Sequence, residues 1–420
     1  MVYLINSINK IANKLGLENC FLDELSNSKF INLSSKIQPD VFPDCILMVG
    51  DNLHNLTNLV SSGVNFVDLC YIDPPYNTGS KFLYHDNRKS DLSNVFGSHS
   101  AWMEFMLPRL VVAREILKSS GVIAISIDDY EFAYLKILMD SIFGESNFIG
   151  NIVVCRSKNG KGSNKNIASS HEYLMIYGKT SSAKLNGQLD DVSIYNKSDE
   201  HGEYKVDGLF RKKGEASLRI ERPNMFYPLY FNPLTGEVFV EPGVGLHEVF
   251  PIDSKGVERR WLWSKETARE RSWQLYASKK GVVYVKNYSS LDKRKKVRTF
   301  WDDTSFYTER ATNEITKIFG EKIFDTPKPL RYIMTILDVI AKPDAIIMDF
   351  FAGSGTTSHA AVVLNSNDKG TRKTILMESN AQIPANHLAR KHGHNVISDI
   401  TKARFEKIKE EYPDFQYAVY

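Results

Sequence analysis

The chain has 420 residues, of which 42% are hydrophobic and 25% charged, an ordinary globular composition that leaves room for two or three domains. No apolar run reaches the roughly 18 residues of a membrane helix, and the N-terminal stretch lacks the apolar block and small-residue site of a signal peptide. The four cysteines lie far apart without a CxxC pair, which argues against a zinc site or a disulfide framework. We therefore expect a cytoplasmic protein with no membrane partner and no metal site.

The net charge of +3 is unevenly distributed along the chain. Residues 205–300 contain 20 lysines and arginines against 11 acids, whereas the remainder is acidic. A basic segment of this kind is typical of a surface that binds a polyanion. A solvated surface without a partner would have the same composition, so charge alone leaves both interpretations open.

Hydrophobic patterning predicts strands that alternate with helices. After an N-terminal helical segment, the predicted strands lie at residues 44–53, 65–73, 121–129, 172–179, 374–379 and 395–399. A helix is predicted over 101–120, and a strand, tight turn and helix over 345–365. This alternation predicts a parallel, doubly wound α/β sheet.

The middle of the chain has a different character. From about residue 185 to 300 it is rich in Pro, Gly, Tyr, Trp and basic residues, with short β-like runs, so a basic module interrupts one α/β domain. The predicted parts are a helical segment at 1–44, a first α/β part at 45–184, an inserted basic domain at 185–318 and a second α/β part at 319–420.

The glycine turn "DFFAGSGTT" (349–357) follows a predicted strand and opens a helix, which is where nucleotide-type cofactors sit in such folds. Gly353 and Gly355 permit a tight turn and a close backbone approach, and Glu378 ends the next strand at the spacing of a ribose-binding acid. A P-loop is disfavoured because Thr356 stands where Lys is needed, and a dinucleotide fingerprint would have Gly in place of Ser358. A nucleoside that carries a carboxylate is favoured.

The stretch "DLCYIDPPYNTGS" (68–80) ends a buried strand on Asp73, Pro74, Pro75 and Tyr76. Prolines lack an N–H, so they cannot continue a sheet ladder, and they hold the Pro74 carbonyl rigidly beyond the strand end. Together with the Asp73 carboxylate this carbonyl could grip an NH₂ group and direct its lone pair at an electrophile. The Tyr76 ring offers a stacking face worth on the order of 1–3 kcal/mol, which matches the few kcal/mol that flipping a base out of a duplex costs.

These two motifs in combination resemble the amino-methylating DNA methyltransferases that use S-adenosylmethionine. Their order, DPPY first and the glycine turn later, is that of the β class, a circular permutation of the Rossmann-like methyltransferase fold. Three further segments, 121–150, "HEYLMIYGK" (171–179) and "FDTPKPLRYI" (324–333), are similar to the adenine-specific modification subunits of type III restriction systems.

The resemblance implies roles for individual residues. Asp73 and the Pro74 carbonyl would bind the target adenine N6 within the "DPPY" turn that includes Pro75, and Tyr76 would stack on the base. The residues implied in the S-adenosylmethionine pocket are Asp51, Asp349, Phe350, Gly353, Gly355 and Thr356, with Lys328 and Pro329 at the methionine end and Glu378 at the ribose.

In such enzymes the segment before the "PKP" element holds the target recognition domain, which here contains the basic stretch. Lysines and arginines there would bind phosphates with a steep dependence on salt. The candidate DNA-binding residues in this stretch are Arg211, Lys212, Lys213, Arg259, Arg260, Lys295 and Lys296. Two further candidates, Lys161 and Lys165, lie on a separate Gly/Ser-rich loop at 156–166, which could clamp the DNA backbone or be a surface loop. Trp261, Trp263 and Trp273 could stack on bases, but core packing is favoured for each.

The sequence thus predicts a DNA methyltransferase acting on adenine N6 of a flipped base in double-stranded DNA, in a restriction–modification or related system. A homodimer and a restriction endonuclease subunit are possible partners. Three alternatives stay open: methylation of cytosine N4, a catalytically inactive DNA-recognition subunit, and a nicotinamide-dependent oxidoreductase, although the last rests only on the glycine turn.

Overall fold

A computed structural model of the chain describes residues 2–17, 42–60, 65–77, 99–160, 166–189, 194–289 and 294–420. Within these ranges no helix is long and apolar enough to cross a bilayer. The predicted N-terminal helical segment is a helix from Val2 to Leu15, and most of its remainder lies outside the described residues.

Strands and helices alternate through most of the chain. The strands are β1 (Cys45–Val49), β2 (Val67–Ile72), β3 (Leu117–Ile127), β4 (Phe148–Cys155), β5 (His171–Gly178), β6 (Gln188–Leu189), β7 (Lys197–Asp199), β8 (Gly202–Leu209), β9 (Leu229–Phe231), β10 (Val238–Phe239), β11 (His247–Val249), β12 (Leu275–Ala277), β13 (Val283–Tyr288), β14 (Arg294–Lys295), β15 (Phe300–Trp301), β16 (Ile346–Asp349), β17 (Lys373–Glu378) and β18 (Tyr417–Val419). The α-helices are α1 (Val2–Leu15), α2 (Asn52–Val60), α3 (Ser100–Ile116), α4 (Phe132–Phe143), α5 (Lys265–Glu270), α6 (Thr308–Phe319), α7 (Leu330–Ile340), α8 (Thr356–Asp368), α9 (Leu388–Lys391) and α10 (Ile397–Glu411).

Nine strands form one sheet in the order β15-β4-β5-β3-β2-β16-β17-β1-β18. All neighbours are parallel except at β5, which runs antiparallel to both β3 and β4. The predicted α/β class is confirmed, but the expectation of a wholly parallel sheet is wrong. The described residues between β4 and β5 contain no crossover helix, and consecutive strands run parallel only when a crossover joins them.

Both faces of this sheet are covered, as its apolar strands require. Along β2, Cys70 and Ile72 point into one buried cluster, which includes residues of α3 and α4. Leu69 and Tyr71 alternate into a second cluster with residues of α7 and α8. The sheet is therefore the rigid middle layer that positions whatever follows its strand ends.

The strand predicted at 395–399 is wrong. This stretch instead leads into α10, because the Asp399 carboxylate accepts hydrogen bonds from the backbone N–H groups of Asn395 (2.9 Å) and Val396 (3.1 Å). An acid that satisfies free N–H groups at a helix start stabilises the helix.

The chain divides into two compact units, one of residues 1–188 with 296–420 and one of residues 189–295. The second unit is shorter than the insert predicted at 185–318. The difference at its end arises because Phe300–Trp301 pairs with β4 of the large sheet and Thr308–Phe319 forms α6.

The second unit contains short strands in two sheets, β10-β9-β11 and β12-β13-β8-β7. Its core includes Phe210, Leu229 and Trp261, and the Trp261 indole N–H donates to the Tyr227 carbonyl at 2.8 Å. Trp273 departs from the expected core packing: it is 39% exposed, with its ring centroid 4.1 Å from that of His201.

Candidate active site

Acidic side chains gather at the carboxyl edge of the nine-stranded sheet. Asp51 lies just beyond β1, Asp73 directly follows β2, and β16 and β17 end on Asp349 and Glu378. Glu172 reaches the same edge because the antiparallel β5 begins there. Ligands of open α/β sheets bind beyond this edge. The acidic side chains gathered there therefore mark the candidate catalytic site.

A cavity of about 290 Å³ opens at this edge. It is lined by nine of the residues predicted from the sequence: Asp51, Asp73, Pro75, Lys328, Asp349, Phe350, Gly353, Thr356 and Glu378. The four other predicted residues adjoin these in the chain: Pro74 and Tyr76 in the turn after β2, Pro329 before α7 and Gly355 before α8. Both motifs therefore meet at one cavity, although their strands are far apart in sequence.

The glycine turn is shaped by backbone geometry that favours glycine. Gly353 and Gly355 have φ angles of +53° and +79°. A Cβ on Gly355 would lie 3.1 Å from Cγ2 of Thr401, a close contact that would require Thr401 to shift by a few tenths of an ångström. The Gly353 N–H donates to Glu378 Oε2 at 2.6 Å, and the Thr401 hydroxyl donates to the Gly353 carbonyl at 2.7 Å. Hydrogen bonds to Glu378 and from Thr401 therefore hold the glycine turn in place.

The two acids beside this turn have perturbed pKa values. Burial raises the pKa of Asp349 to about 7, although its carboxylate accepts hydrogen bonds from the Thr357 hydroxyl (2.6 Å) and the Phe351 N–H (3.0 Å). Burial likewise raises the pKa of Glu378 to about 7, against the opposing hydrogen bonds from the backbone of Ser379 and Gly353. A cationic ligand would relieve this cost of burial.

Arg109 is a further residue of this region that the sequence analysis missed. Its guanidinium, on α3, donates to Asp51 Oδ2 at 3.0 Å and to Asn52 Oδ1 at 2.5 Å. The Asn52 amide in turn donates to the Phe350 carbonyl at 2.8 Å. These hydrogen bonds together link the loop after β1 to the glycine turn. A buried charge inside an otherwise apolar helix pattern was the available signal.

Arg404 supports the glycine turn from behind and was also missed. This buried arginine of α10 donates from one nitrogen to the hydroxyls of Ser354 (3.1 Å) and Thr356 (2.8 Å) and from another to His359 Nδ1 (3.2 Å). Burial lowers the pKa of Arg404 to about 10. Burial and the charge of Arg404 together lower the pKa of His359 to about 3, so His359 is neutral and can accept the bond.

The DPPY turn is held by α3. The Trp102 indole N–H donates to the Pro75 carbonyl at 2.7 Å, which fixes the second proline of the turn. The turn thereby keeps Asp73 at the rim of the cavity.

A network of charges surrounds Asp73. The Tyr76 hydroxyl donates to Asp73 Oδ1 at 2.6 Å, and the Lys328 ammonium lies 2.8 Å from the same oxygen. The ammonium also donates to the Tyr76 oxygen at 2.7 Å and to Glu172 Oε2 at 3.1 Å. Arg156 is the second cation beside Glu172, at 3.1 Å. Lys328, predicted at the methionine end of a cofactor, thus contacts the residues of the DPPY motif.

The candidate DNA-binding residues have varied surroundings. Arg259 donates to Asp253 (2.9 Å) and to the Ser217 hydroxyl (2.9 Å), and Arg260 donates to the Ala216 carbonyl at 2.6 Å. These two arginines therefore hold loops of their own unit. The exposed candidates are Lys213, Lys295 and Lys296, while Arg211 and Lys212 are half-buried. Lys161 and Lys165 lie outside the described residues.

An α/β sheet that brings a glycine turn and a DPPY turn to one cavity is the framework of a nucleotide-dependent enzyme. The family described as DNA methylase matches residues 67–384, which is more than half of the chain. The chain belongs to this family and is a DNA methyltransferase.

The chain is also similar to individual known proteins. The chain is 64% identical over 415 residues to the type II methyltransferase M.KpnI of Klebsiella pneumoniae, covering 98% of this chain and 97% of that protein. It is 33% identical to the EcoPI Mod subunit of Escherichia phage P1, a type III restriction–modification protein, covering 86% of this chain but 62% of that one. Among solved structures, the M1.HpyAVI–SAM complex matches with a TM-score of 0.37 and 13% identity, over 80% of this chain and 93% of that one.

Proposed function

We propose that the chain transfers a methyl group from S-adenosylmethionine to N6 of a flipped adenine in double-stranded DNA. The observation that carries this proposal is the position of Asp73, which lies at the rim of the same cavity as the glycine turn. β2 pairs directly with β16, so the two turns follow adjacent strands roughly 4.8 Å apart. A methyl donor and an amine acceptor need this proximity.

The cavity suits S-adenosylmethionine. Its donor centre is a sulfonium cation, and Asp51, Asp349 and Glu378 supply carboxylates in the lining. Phe350 and Phe351 supply apolar surface for an adenine ring. The Glu378 carboxylate is held in place by the Gly353 and Ser379 N–H groups and keeps lone pairs for ribose hydroxyls.

When bound, S-adenosylmethionine would supply an electrophilic methyl group. The residues of the chain would position the acceptor: the Asp73 carboxylate and the Pro74 carbonyl accept hydrogen bonds from the target NH₂, and Tyr76 lies beside the base. Positioning of two reactants can contribute several kcal/mol to catalysis. The Asp73 carboxylate is also the nearest base for the proton that the amine loses after transfer.

Adenine is preferred to cytosine as the target because position 73 carries Asp rather than Ser in the DPPY motif. Several relatives are named as type III Mod subunits, among them those of EcoPI and EcoP15I, which supports a role in restriction–modification. A restriction endonuclease subunit and a homodimer remain part of this proposal. The exposed basic residues of the second unit would hold the phosphates of the duplex.

The test is a transfer assay with methyl-labelled S-adenosylmethionine and genomic DNA that lacks adenine methylation, followed by nucleoside analysis. Label in N6-methyladenine, lost in Asp73→Ala and retained in Asp344→Ala, would support the proposal. Asp344 is the matched control because it is an exposed acid at the opposite end of β16. Label in N4-methylcytosine would change the target base, and DNA binding without transfer would indicate a recognition subunit.

A further inference from the structure

Glu172 is a buried carboxylate of the site to which neither the motifs nor the family description assigns a role. It is the second residue of β5, and only 2% of its side chain is exposed. Its Oε2 atom lies within hydrogen-bonding distance of three donors: Arg156 and Lys328, each at 3.1 Å, and the Tyr76 hydroxyl at 3.2 Å. An acid buried this deeply is maintained only by such partners.

The charges around Glu172 keep it ionised. Burial by itself would raise the pKa of Glu172, but the cations of Arg156 and Lys328 outweigh that effect and lower it. Negative charge on Glu172 in turn raises the pKa of Arg156. The lowered pKa favours the ionised form of Glu172 next to the DPPY motif.

Lys328 is shared between this anion and the catalytic one. Its ammonium lies 2.8 Å from Asp73 Oδ1 and 3.1 Å from Glu172 Oε2. A protonated primary amine that donates to Asp73 stands where the amino group of a target base would donate. An amine of the chain itself thus occupies the acceptor at Asp73, and an incoming base would have to displace it.

We propose that Glu172 is the positioning residue that receives the Lys328 ammonium when the target amine takes its place at Asp73, which presupposes the methylation reaction proposed above. Glu172 offers Lys328 a second anion within reach, so the ammonium can leave Asp73 without losing a charged partner. Glu172 also contacts the Tyr76 hydroxyl, and this contact fixes the ring beside the amine site. Arg156 keeps Glu172 in place when Lys328 moves.

A neutral residue at position 172 would leave Asp73 as the one carboxylate within 4 Å of the Lys328 ammonium among the described residues. The ammonium would then compete with the target amine, so Glu172→Gln should lower kcat at saturating cofactor and DNA by on the order of tenfold or more. Affinities for the cofactor and for DNA should change by less than about threefold, because Glu172 does not line the cavity.

The decisive experiment asks whether a second substitution restores the kcat that Glu172→Gln lowers. Lys328→Met removes the competing ammonium with little change in length, so the double variant Glu172→Gln with Lys328→Met should have a higher kcat than Glu172→Gln alone. A merely structural role of Glu172 predicts the reverse, since two lost partners would damage the site more than one. Glu309→Gln, at an exposed acid of α6, is the matched control for loss of charge.

Glu172→Asp keeps the experiment informative if Glu172→Gln does not fold. The shorter carboxylate holds Lys328 less well, so adding Lys328→Met should again raise kcat. Wild-type kcat in Glu172→Gln, or no gain from Lys328→Met in either background, would overturn the inference. Absence of methyl transfer in the wild type would instead overturn the proposed function.

Discussion

The side-chain amide of Asn77 donates a 2.6 Å hydrogen bond to Glu131, a carboxylate with no exposed surface. Asn77 directly follows the DPPY motif and has a left-handed φ of +55°. His99, at the other end of the segment 78–98, places Nδ1 2.8 Å from the same carboxylate oxygen. Glu131 therefore fastens the backbone after the motif to the residue that precedes α3.

We expect Glu131→Gln to loosen the DPPY turn. Hydrogen bonds to a charged acceptor contribute more than neutral ones, so the free energy of unfolding should fall by about 1–3 kcal/mol. The value of kcat should fall as well, with the cofactor Kd unchanged. Urea denaturation and single-turnover kinetics would measure both, with Glu145→Gln, an exposed acid after α4, as control. Equal effects of the two substitutions would contradict the role given to Glu131.

The affinity for S-adenosylmethionine should depend on pH. In the unliganded protein the pKa values of Asp349 and Glu378 are both about 7, so each carboxyl is partly protonated at neutral pH. A cationic ligand binds the ionised forms, and the Kd should therefore rise as pH falls from about 8 to about 6. Calorimetry in buffers of different ionisation enthalpy would count the protons released. A Kd that stays constant over this range would contradict a favourable interaction between these ionised acids and the cationic ligand.

The free energy of unfolding of the protein without cofactor should increase as pH falls, whereas the affinity for the cofactor should decrease. Asp349 and Glu378 have folded-state pKa values of about 7, above their ordinary values of 3.8 and 4.5. The folded chain then binds more protons than the unfolded chain, so their contribution is fully present below about pH 4 and is lost as pH rises through about 7. Urea denaturation of wild type and Glu378→Gln across this range isolates the effect. If the two proteins have the same pH slope, Glu378 does not titrate as described.

Gly355→Ala should destabilise the protein more than an equivalent substitution elsewhere. The φ of +79° costs an L-residue on the order of 1 kcal/mol, and the contacts of the new methyl with Thr401 and Phe405, at 3.1 and 3.3 Å, add to it. Gly320 has a φ of +83° with nothing within 4 Å of an added Cβ, so Gly320→Ala is the matched control. The difference between the two unfolding free energies measures the crowding, and a zero difference would mean that the turn can shift.

Arg404→Met should weaken cofactor binding although Arg404 does not line the cavity. Without the guanidinium, the hydroxyls of Ser354 and Thr356 lose their donor, and the free energy of unfolding should fall by about 1–3 kcal/mol. The pKa of His359 should rise because the neighbouring charge is gone, while burial still keeps it low. Cofactor titration and the NMR titration of His359 would check this, with Arg404→Lys as the conservative variant. An unchanged Kd in Arg404→Met would show that the turn holds its shape unaided.

Two basic residues of the second unit should behave differently in DNA binding. Lys213 is exposed, so Lys213→Ala should weaken DNA binding and reduce the slope of log K against log salt by about 1. Arg259 is engaged by Asp253 and Ser217, so Arg259→Ala should mainly lower the unfolding temperature. Salt titrations and thermal unfolding separate the two, with Lys409→Ala, on α10, as control. A salt slope unchanged in Lys213→Ala would remove that lysine from the DNA-binding surface.

The main parts of the site could be predicted from the sequence because strand ends locate ligands in α/β folds. Asp73 and Asp349 end predicted strands, and the sheet brings both strands together as expected. Glu172 could not be placed, because its role follows from strand direction. In a wholly parallel sheet the first residues of β5 would lie at the opposite edge, whereas the antiparallel strand puts them beside Asp73.

The hydrogen-bond partners of buried arginines on helices could not be predicted from the sequence either. Arg109 and Arg404 lie on helices whose apolar pattern predicts only a buried face, and their partners come from distant segments. The candidate DNA-binding residues show a second limit of the sequence analysis, which cannot tell exposed basic residues from paired ones. Composition alone does not distinguish Arg259 from Lys213, since both are basic. In the structure Arg259 is paired with Asp253 and holds a loop of its own unit, whereas Lys213 is exposed.

The pairing of β2 with β16 has a consequence for biosynthesis. Asp68 accepts a hydrogen bond from the Ile346 N–H, across 278 residues of chain. A ribosome that has made the DPPY turn must still add the whole second unit and β16 before the two turns can meet. Ordering of residues 189–295 as a unit of their own would shorten the effective loop that must close. The two turns therefore meet only late in synthesis, and a truncated product that lacks the final 75 residues, from 346 onward, would have the DPPY turn without the glycine turn.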